Sequence, residues 1–207
     1  MNKFSILILS ALYTLTIPAF AGGMVGVKYG VGDLEGNAKA YGQYNAQSAS
    51  KDSDFGAIFA EVNIKESPIS VGIEFVPLDA NISLDGHQSN VSANVSDYRT
   101  LYALAMHDLT KFSVYAKLGY SQADIGKATV NDTQTTYVSQ SGELEGMMYG
   151  VGIQSQELPF GLVARAEYTL TQFDDISVTT TSNGATAVKK TADGELTTMT
   201  ISLAKSF

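Results

Sequence analysis

The chain of 207 residues contains no cysteine and no tryptophan, and only two histidines and four prolines. Without cysteine it can form neither a disulfide framework nor a thiolate metal site. After residue 21 it has no run of about 18 apolar residues, so no transmembrane helix is predicted. The formal charge of −8 argues against a nucleic-acid partner, because binding phosphates requires a basic surface.

The first 21 residues have the pattern of a secretory signal peptide. Lys3 precedes a short apolar run, which closes with the small residues Ala19 and Ala21 in an A-x-A arrangement. A retained anchor is the alternative, but the run is short for a spanning helix, and Pro18 lies next to the expected cleavage site. We therefore predict that residues 1–21 are removed and that residues 22–207 form one domain.

The remaining chain is rich in segments in which apolar and polar or small residues alternate. This period of two predicts β-strands with one apolar face. About ten residues in a tilted strand are enough to cross a hydrocarbon layer. The predicted strands lie at 25–32, 55–64, 69–78, 98–106, 112–120, 147–154, 162–170 and 198–204.

The connections between these segments alternate in length. Short turns are predicted at 65–68, 107–111 and 155–160, and long polar loops at 33–54, 79–97, 122–144 and 172–193. Outer-membrane barrels have this asymmetry, with short periplasmic turns and longer extracellular loops. The pattern predicts an all-β fold, an eight-stranded antiparallel up-and-down transmembrane β-barrel.

Charged residues in the strands favour one orientation of the side chains. If the more apolar face of each strand meets lipid, nearly all the strand charges point inward, which avoids about 2–4 kcal/mol per basic residue at mid-depth. We predict a charged network in the lumen that consists of Lys28, Glu61, Glu74, Arg99, Lys117, Arg165 and Glu167.

An eight-stranded barrel has an interior just wide enough for side chains to fill. Because a buried charge needs a partner, the lysines and arginines are expected to pair with the glutamates and plug the lumen. Inward-facing glycines such as Gly26, Gly72 and Gly152 would leave room for them. A narrow ion or small-solute channel is the alternative.

These features resemble the small outer-membrane barrels of the OmpA, OmpX and opacity type, and the resemblance covers the whole mature chain. It implies location in the Gram-negative outer membrane, lipid contact, and recognition of the last strand by the barrel-assembly machinery. Lys205 stands where that family more often has an aromatic residue. The residues that match the implied assembly signal are Phe207, Leu203, Ile201 and Met199.

Other functional classes find less support in the sequence. His87 on a long loop and His107 at a turn have no nucleophile motif beside them, and we interpret both as solvated. The acidic pairs Asp52/Asp54 and Asp174/Asp175 lack calcium-loop spacing. We therefore predict a monomeric, non-enzymatic barrel without cofactor or metal, with a structural or surface-interaction role for its loops and an unidentified ligand. A secreted soluble β-sandwich is a second alternative.

Overall fold

The fold was determined as a computed structural model. It describes residues 20–38, 47–77, 80–85, 89–126, 129–132, 136–138, 142–180 and 188–207. The predicted signal peptide lies outside these residues up to position 19, so its cleavage after Ala21 stays a prediction. His87 also lies outside the described residues.

Antiparallel β-structure accounts for nearly all of the described chain. A single-turn 3₁₀ helix (Pro159–Gly161) precedes one strand, and no helix in these segments is long and apolar enough to cross a membrane. The strands are β1 (Phe20–Ala38), β2 (Gln47–Ile64), β3 (Ile69–Phe75), β4 (Ala80–Asp85), β5 (Ser89–Asp108), β6 (Phe112–Ile125), β7 (Thr129–Asp132), β8 (Thr136–Val138), β9 (Gly142–Ser155), β10 (Leu162–Thr180) and β11 (Val188–Ser206).

The sheet closes on itself as an eight-stranded barrel. Its order is β3-β2-β1-β11-β10-β9-β6-β5, and pairing of β3 with β5 completes the ring. The short strand β4 follows β3 and pairs further along β5, while β7 and β8 extend the sheet beyond the ring. The predicted up-and-down barrel is confirmed, and the soluble sandwich alternative is wrong because two stacked sheets would not close.

The first and last strands are hydrogen-bonded along most of their length. Their partners run from Met24 opposite Ser206 to Ala38 opposite Ala192. Closure satisfies backbone groups that an open sheet would leave unpaired in lipid. A chain that ends on an apolar strand is therefore stable here, because that strand has a neighbour on both sides.

Exposure alternates along the strands as the sequence pattern predicts. On β1 the odd-numbered residues from 25 to 31 are 49–60% exposed, whereas Lys28 is 7% exposed. Apolar residues form the outer band, and the even positions of β1 face the lumen. The outward residues more than half exposed on this band include Val27, Tyr29, Val31, Ile58, Leu118, Val151, Ile153, Met199 and Ile201.

The strands extend further than the sequence analysis predicted. Residues 33–38 continue β1, residues 172–180 continue β10, and residues 188–193 begin β11, all within segments predicted to be loops. The predicted strand ends were wrong because backbone ladder hydrogen bonds do not require an apolar outer face. Above the apolar band the same ladders continue with Ser, Thr, Asn and Asp side chains.

The orientation inferred for the fourth barrel strand was also wrong. Treating Arg99 as inward would turn Tyr102 and Leu104 outward, yet these two residues are 3% and 2% exposed. Ala103 and Ala105 instead lie on the exposed outer face. Arg99 is in the same regular register with β6 as the residues that follow it, and the inward side chains of this part of β5 are those of Thr100, Tyr102 and Leu104. The lumen takes an aromatic and an apolar side chain from this strand, so assigning its charge to the inside gave the wrong face.

Candidate functional site in the barrel lumen

Four charged side chains from four different strands meet inside the barrel. The Lys28 Nζ atom lies 2.6 Å from Glu74 Oε2 and 2.8 Å from Glu167 Oε1. The Lys117 Nζ atom lies 3.0 Å from each of these two oxygens. Each lysine therefore contacts both carboxylates, and the four charges cancel. We call Lys28 of β1, Glu74 of β3, Lys117 of β6 and Glu167 of β10 the Lys–Glu square.

A second ion pair lies nearer the end of the barrel that carries the short turns. Arg165 Nη1 and Nη2 donate to Glu61 Oε2 at 2.8 Å and to Glu61 Oε1 at 3.0 Å. This two-pronged geometry is the strongest arrangement of a guanidinium with a carboxylate. The Tyr102 hydroxyl also donates to Glu61 at 3.2 Å, and Arg165 Nε donates to the Gln154 side-chain oxygen at 2.6 Å.

Aromatic rings line the space between these charges, and glycines make room for them. A Cβ atom on Gly72 would lie 2.5 Å from the Tyr102 ring, so only glycine allows this ring to lie flat against β3. The Lys117 ammonium lies 4.1 Å from the centroid of the same ring, a cation–π distance. The sequence analysis expected such glycines to accommodate charged chains directly. The same ring-over-glycine contact recurs for Phe59 on Gly26 and Tyr115 on Gly152.

The burial of these charges makes their pairing essential. The Arg165 and Glu61 side chains are 4% and 0% exposed, and those in the Lys–Glu square are at most 10% exposed. An unpaired charge at such a site costs several kcal/mol, whereas a fully hydrogen-bonded pair offsets most of its desolvation penalty. The six charges sum to zero, so the lumen requires no counter-ion.

Hydroxyl groups fill the layer above the Lys–Glu square. Thr169 and Thr198 are linked by a hydrogen bond of 2.6 Å, and Thr100 and Ser121 by one of 2.8 Å. The Tyr98 hydroxyl donates to Ser121 at 3.2 Å. Short hydroxyl side chains satisfy one another here without carrying charge.

An apolar cluster, which the sequence analysis missed, lies at the end of the lumen away from the short turns. Successive inward positions of β10 show the layers in order: Arg165 and Glu167, then Thr169 and Thr171, then Phe173. Phe173 packs with Ala123 and Leu144, and all three are buried. The signal was present as alternation that continues past the predicted strand ends. We call Phe173, Ala123 and Leu144, with their partly buried neighbours Leu34, Val95, Tyr98, Ile125 and Leu196, the upper apolar cluster.

Arg99 is not part of the lumen, which corrects the prediction for this residue. It lies directly opposite Phe75 and Gln122 in the strand register, on the outer face of the barrel. Its guanidinium donates to the Gln122 side-chain oxygen at 2.9 Å and lies 4.0 Å from Asp124. The other six predicted residues lie inside, in the two ion-pair groups described above.

The residues proposed as an assembly signal share one face of β11. Met199, Ile201 and Leu203 point outward and are 48–65% exposed. Phe207 is 75% exposed, and its backbone pairs with Gly23 of β1 through two hydrogen bonds of 3.0 Å. Their recognition during assembly stays a prediction.

Among the described residues, no three His, Cys, Asp or Glu side chains are placed to hold a metal ion. The charged groups of the lumen are paired with one another, and the buried Thr200 hydroxyl has no hydrogen-bond partner among the described residues. Their chemistry is that of structural ion pairs.

A family model described as the outer membrane protein beta-barrel domain matches residues 7–203. The chain belongs to this family. The band of exposed apolar side chains is thus the surface that meets outer-membrane lipid, and the protein is located in the outer membrane of Gram-negative bacteria.

Solved structures of other outer-membrane proteins share this fold. A major outer membrane protein from Thermus thermophilus is 11% identical, with 87% of this chain and 99% of that chain covered and a TM-score of 0.53. Ail, the attachment invasion locus protein of Yersinia pestis, is 13% identical, with 89% and 99% covered and a TM-score of 0.50. No curated relative matches at a significant level.

Proposed function

We propose that this protein is a non-conducting, non-enzymatic barrel that anchors a β-structured extension on the outer side of the membrane. The observation that carries the proposal is the layering of the lumen. Ion pairs, hydroxyl groups and the upper apolar cluster lie one above another, and side chains within each layer contact one another.

The two end layers would block ions for different reasons. An ion that enters the Lys–Glu square has to break at least one of four contacts of 2.6–3.0 Å between buried charges. An ion beside Phe173, Ala123 and Leu144 would contact apolar side chains, which do not replace its lost hydration, the principle by which hydrophobic constrictions close channels. Either layer alone supports a silent barrel.

The extension is supported by the length of the strands. The β1–β11 ladder covers fourteen steps from Met24 to Ala38, about 46 Å at about 3.3 Å per residue. With a tilt of about 40° the ladder is about 35 Å tall, whereas the apolar band of such barrels is about 25 Å. About 10 Å of paired strand would therefore stand clear of the lipid.

We propose a surface-contact role for this extension, with a ligand that the side chains of the lumen do not identify. The Yersinia protein with the same fold is named for attachment, which is a role of this general class. The pairing of β1 with β11 supports a monomer, since the ring closes without a second copy. We also propose that the barrel-assembly machinery recognises Phe207 and the outward residues before it.

Conductance in planar phosphatidylcholine bilayers tests the closed lumen. One variant removes a neutral pair from the square, Glu74→Ala with Lys117→Ala, and a second opens the outer layer, Leu144→Ala with Phe173→Ala. We expect wild type and both variants to be silent and the combined four-site variant to conduct. Unitary current steps from wild type would instead support the narrow-channel alternative.

The absence of cysteine allows a direct test of the extension. A cysteine at exposed Asp52 is expected to react with a membrane-impermeant maleimide on intact cells. The matched control, Thr110→Cys in the exposed turn between β5 and β6, should react only after the outer membrane is permeabilised. The opposite pattern of labelling would contradict the proposed orientation.

A further inference from the structure

The turn between β9 and β10 holds a bulky residue in an unfavourable conformation. Phe160 has φ 67° and ψ 18°, the left-handed region that large side chains rarely adopt. Such a conformation is unfavourable and persists only where the surroundings stabilise it. The Phe160 side chain is 88% exposed, so packing within the chain does not compensate this cost.

The turn is nevertheless held in place by the end of β11. The Lys205 ammonium donates to the Phe160 carbonyl oxygen. The Ser206 hydroxyl lies 3.1 Å from both the Gly161 carbonyl oxygen and the Glu157 carboxylate. These contacts fix the backbone, so the exposed ring is displayed from a constrained turn.

The turn that carries Phe160 lies beside one end of the lipid-facing band, the periplasmic end in the orientation proposed above. Lys205 is paired in register with Val25 on one side and with Leu162 on the other, and Val25 is 49% exposed at the lower end of the band. Phe160 precedes Leu162 by two residues. The surface around the turn is therefore continuous with the surface that meets lipid.

We propose that Phe160 inserts into the periplasmic leaflet of the outer membrane and anchors this end of the barrel. Lipid supplies the apolar contact that the ring lacks within the chain, and this compensates the strained backbone. Aromatic side chains stabilise barrels at both membrane interfaces in this way. The nearby Lys205 ammonium suits the same location, since lysine can reach lipid phosphates from the edge of the hydrocarbon.

A single-tryptophan variant tests the location of the ring, because the chain has no other tryptophan. Phe160→Trp is refolded into phosphatidylcholine vesicles with or without bromine atoms near the top of the acyl chains. We expect brominated lipid to quench its emission about as strongly as that of Tyr149→Trp, which lies on the lipid-facing band. Thr110→Trp, in another exposed periplasmic turn, provides the aqueous reference.

The proposal would be overturned if acrylamide quenched Phe160→Trp as completely as Thr110→Trp and brominated lipid did not quench it. The ring would then lie in the periplasm. Phe160→Cys gives a second measurement that does not depend on accommodating an indole. Its reaction with a water-soluble maleimide should be slower in vesicles than that of Thr110→Cys. Equal rates would contradict lipid insertion.

Discussion

Removing the Arg165 guanidinium is expected to be among the most damaging single changes to the barrel. Arg165→Met would leave the Glu61 carboxylate, whose side chain is fully buried, with the Tyr102 hydroxyl as its one remaining donor among the described residues. Breaking a buried pair by removing one partner costs about 3–5 kcal/mol. Because the Arg165–Glu61 pair is two-pronged and its side chains are 0–4% exposed, we expect the free energy of unfolding to fall by an amount within this range.

Removing both charges should be far less damaging. In Glu61→Leu with Arg165→Met, no uncompensated charge remains, and apolar side chains of similar size fill the space beside Phe59. Replacing a whole buried pair by apolar residues is often neutral or stabilising. The remaining loss comes from the unpaired Tyr102 hydroxyl and Gln154 oxygen, at about 1–3 kcal/mol for each buried polar group left without a partner.

Urea titration of the barrel in phosphatidylcholine vesicles measures these differences, with the folded fraction read from gel migration of unboiled samples. Lys65→Met is the control, because the Lys65–Glu66 pair has side chains that are 61% and 85% exposed, and such a surface pair is worth about 0–1 kcal/mol. A loss below about 1 kcal/mol for Arg165→Met would refute the reasoning. A double variant as unstable as the sum of its two single variants would do so equally, because the coupling would then be absent.

The remaining predictions concern packing, assembly and closure. Gly72→Ala should lower the free energy of unfolding by about 1–3 kcal/mol in the same titration, because its Cβ would lie 2.5 Å from the Tyr102 ring and 2.8 Å from the Ala60 carbonyl oxygen. Gly56→Ala is the control, since its Cβ would have no neighbour nearer than 3.9 Å. Equal losses for the two variants would contradict the ring-over-glycine argument. Deleting Phe207 should reduce the folded barrel recovered from outer membranes while leaving refolding of the purified chain intact; unchanged recovery in cells would argue against an assembly signal. Unboiled wild type should migrate differently from boiled protein in a detergent gel, and identical migration would contradict a stable closed barrel.

The local pattern of the chain was sufficient to predict the outer surface of the barrel. Alternation with a period of two identified segments in all eight barrel strands and the correct lipid-facing residues of seven. It worked for Val25 to Val31 and for Met199 to Leu203 because their neighbours within the same strand are small or polar. It was wrong for the strand of Arg99, because Tyr102 and Leu104 face the lumen there while the charge lies on the outer face.

The extent of the strands was harder to predict for a related reason. Residues such as Leu34 and Phe173 continue the alternation above the lipid, but polar residues surround them on the outer face and hide the period. Outside the lipid, polar side chains are as favourable on a strand as on a loop. Amino-acid composition therefore does not distinguish strands from loops in this part of the chain. The upper apolar cluster was missed together with the strand ends that carry it.

The amino-acid sequence by itself determined the period of the strands, the short turns between them and the inward placement of most charges. Each of these depends on residues that are neighbours in the chain. The partners of those charges were decided only by the tertiary structure. Glu61 and Arg165 are 104 residues apart, and Lys28 and Glu167 are 139 apart. The stagger and tilt of the closed sheet bring them to the same height, and no period within a single strand encodes that stagger.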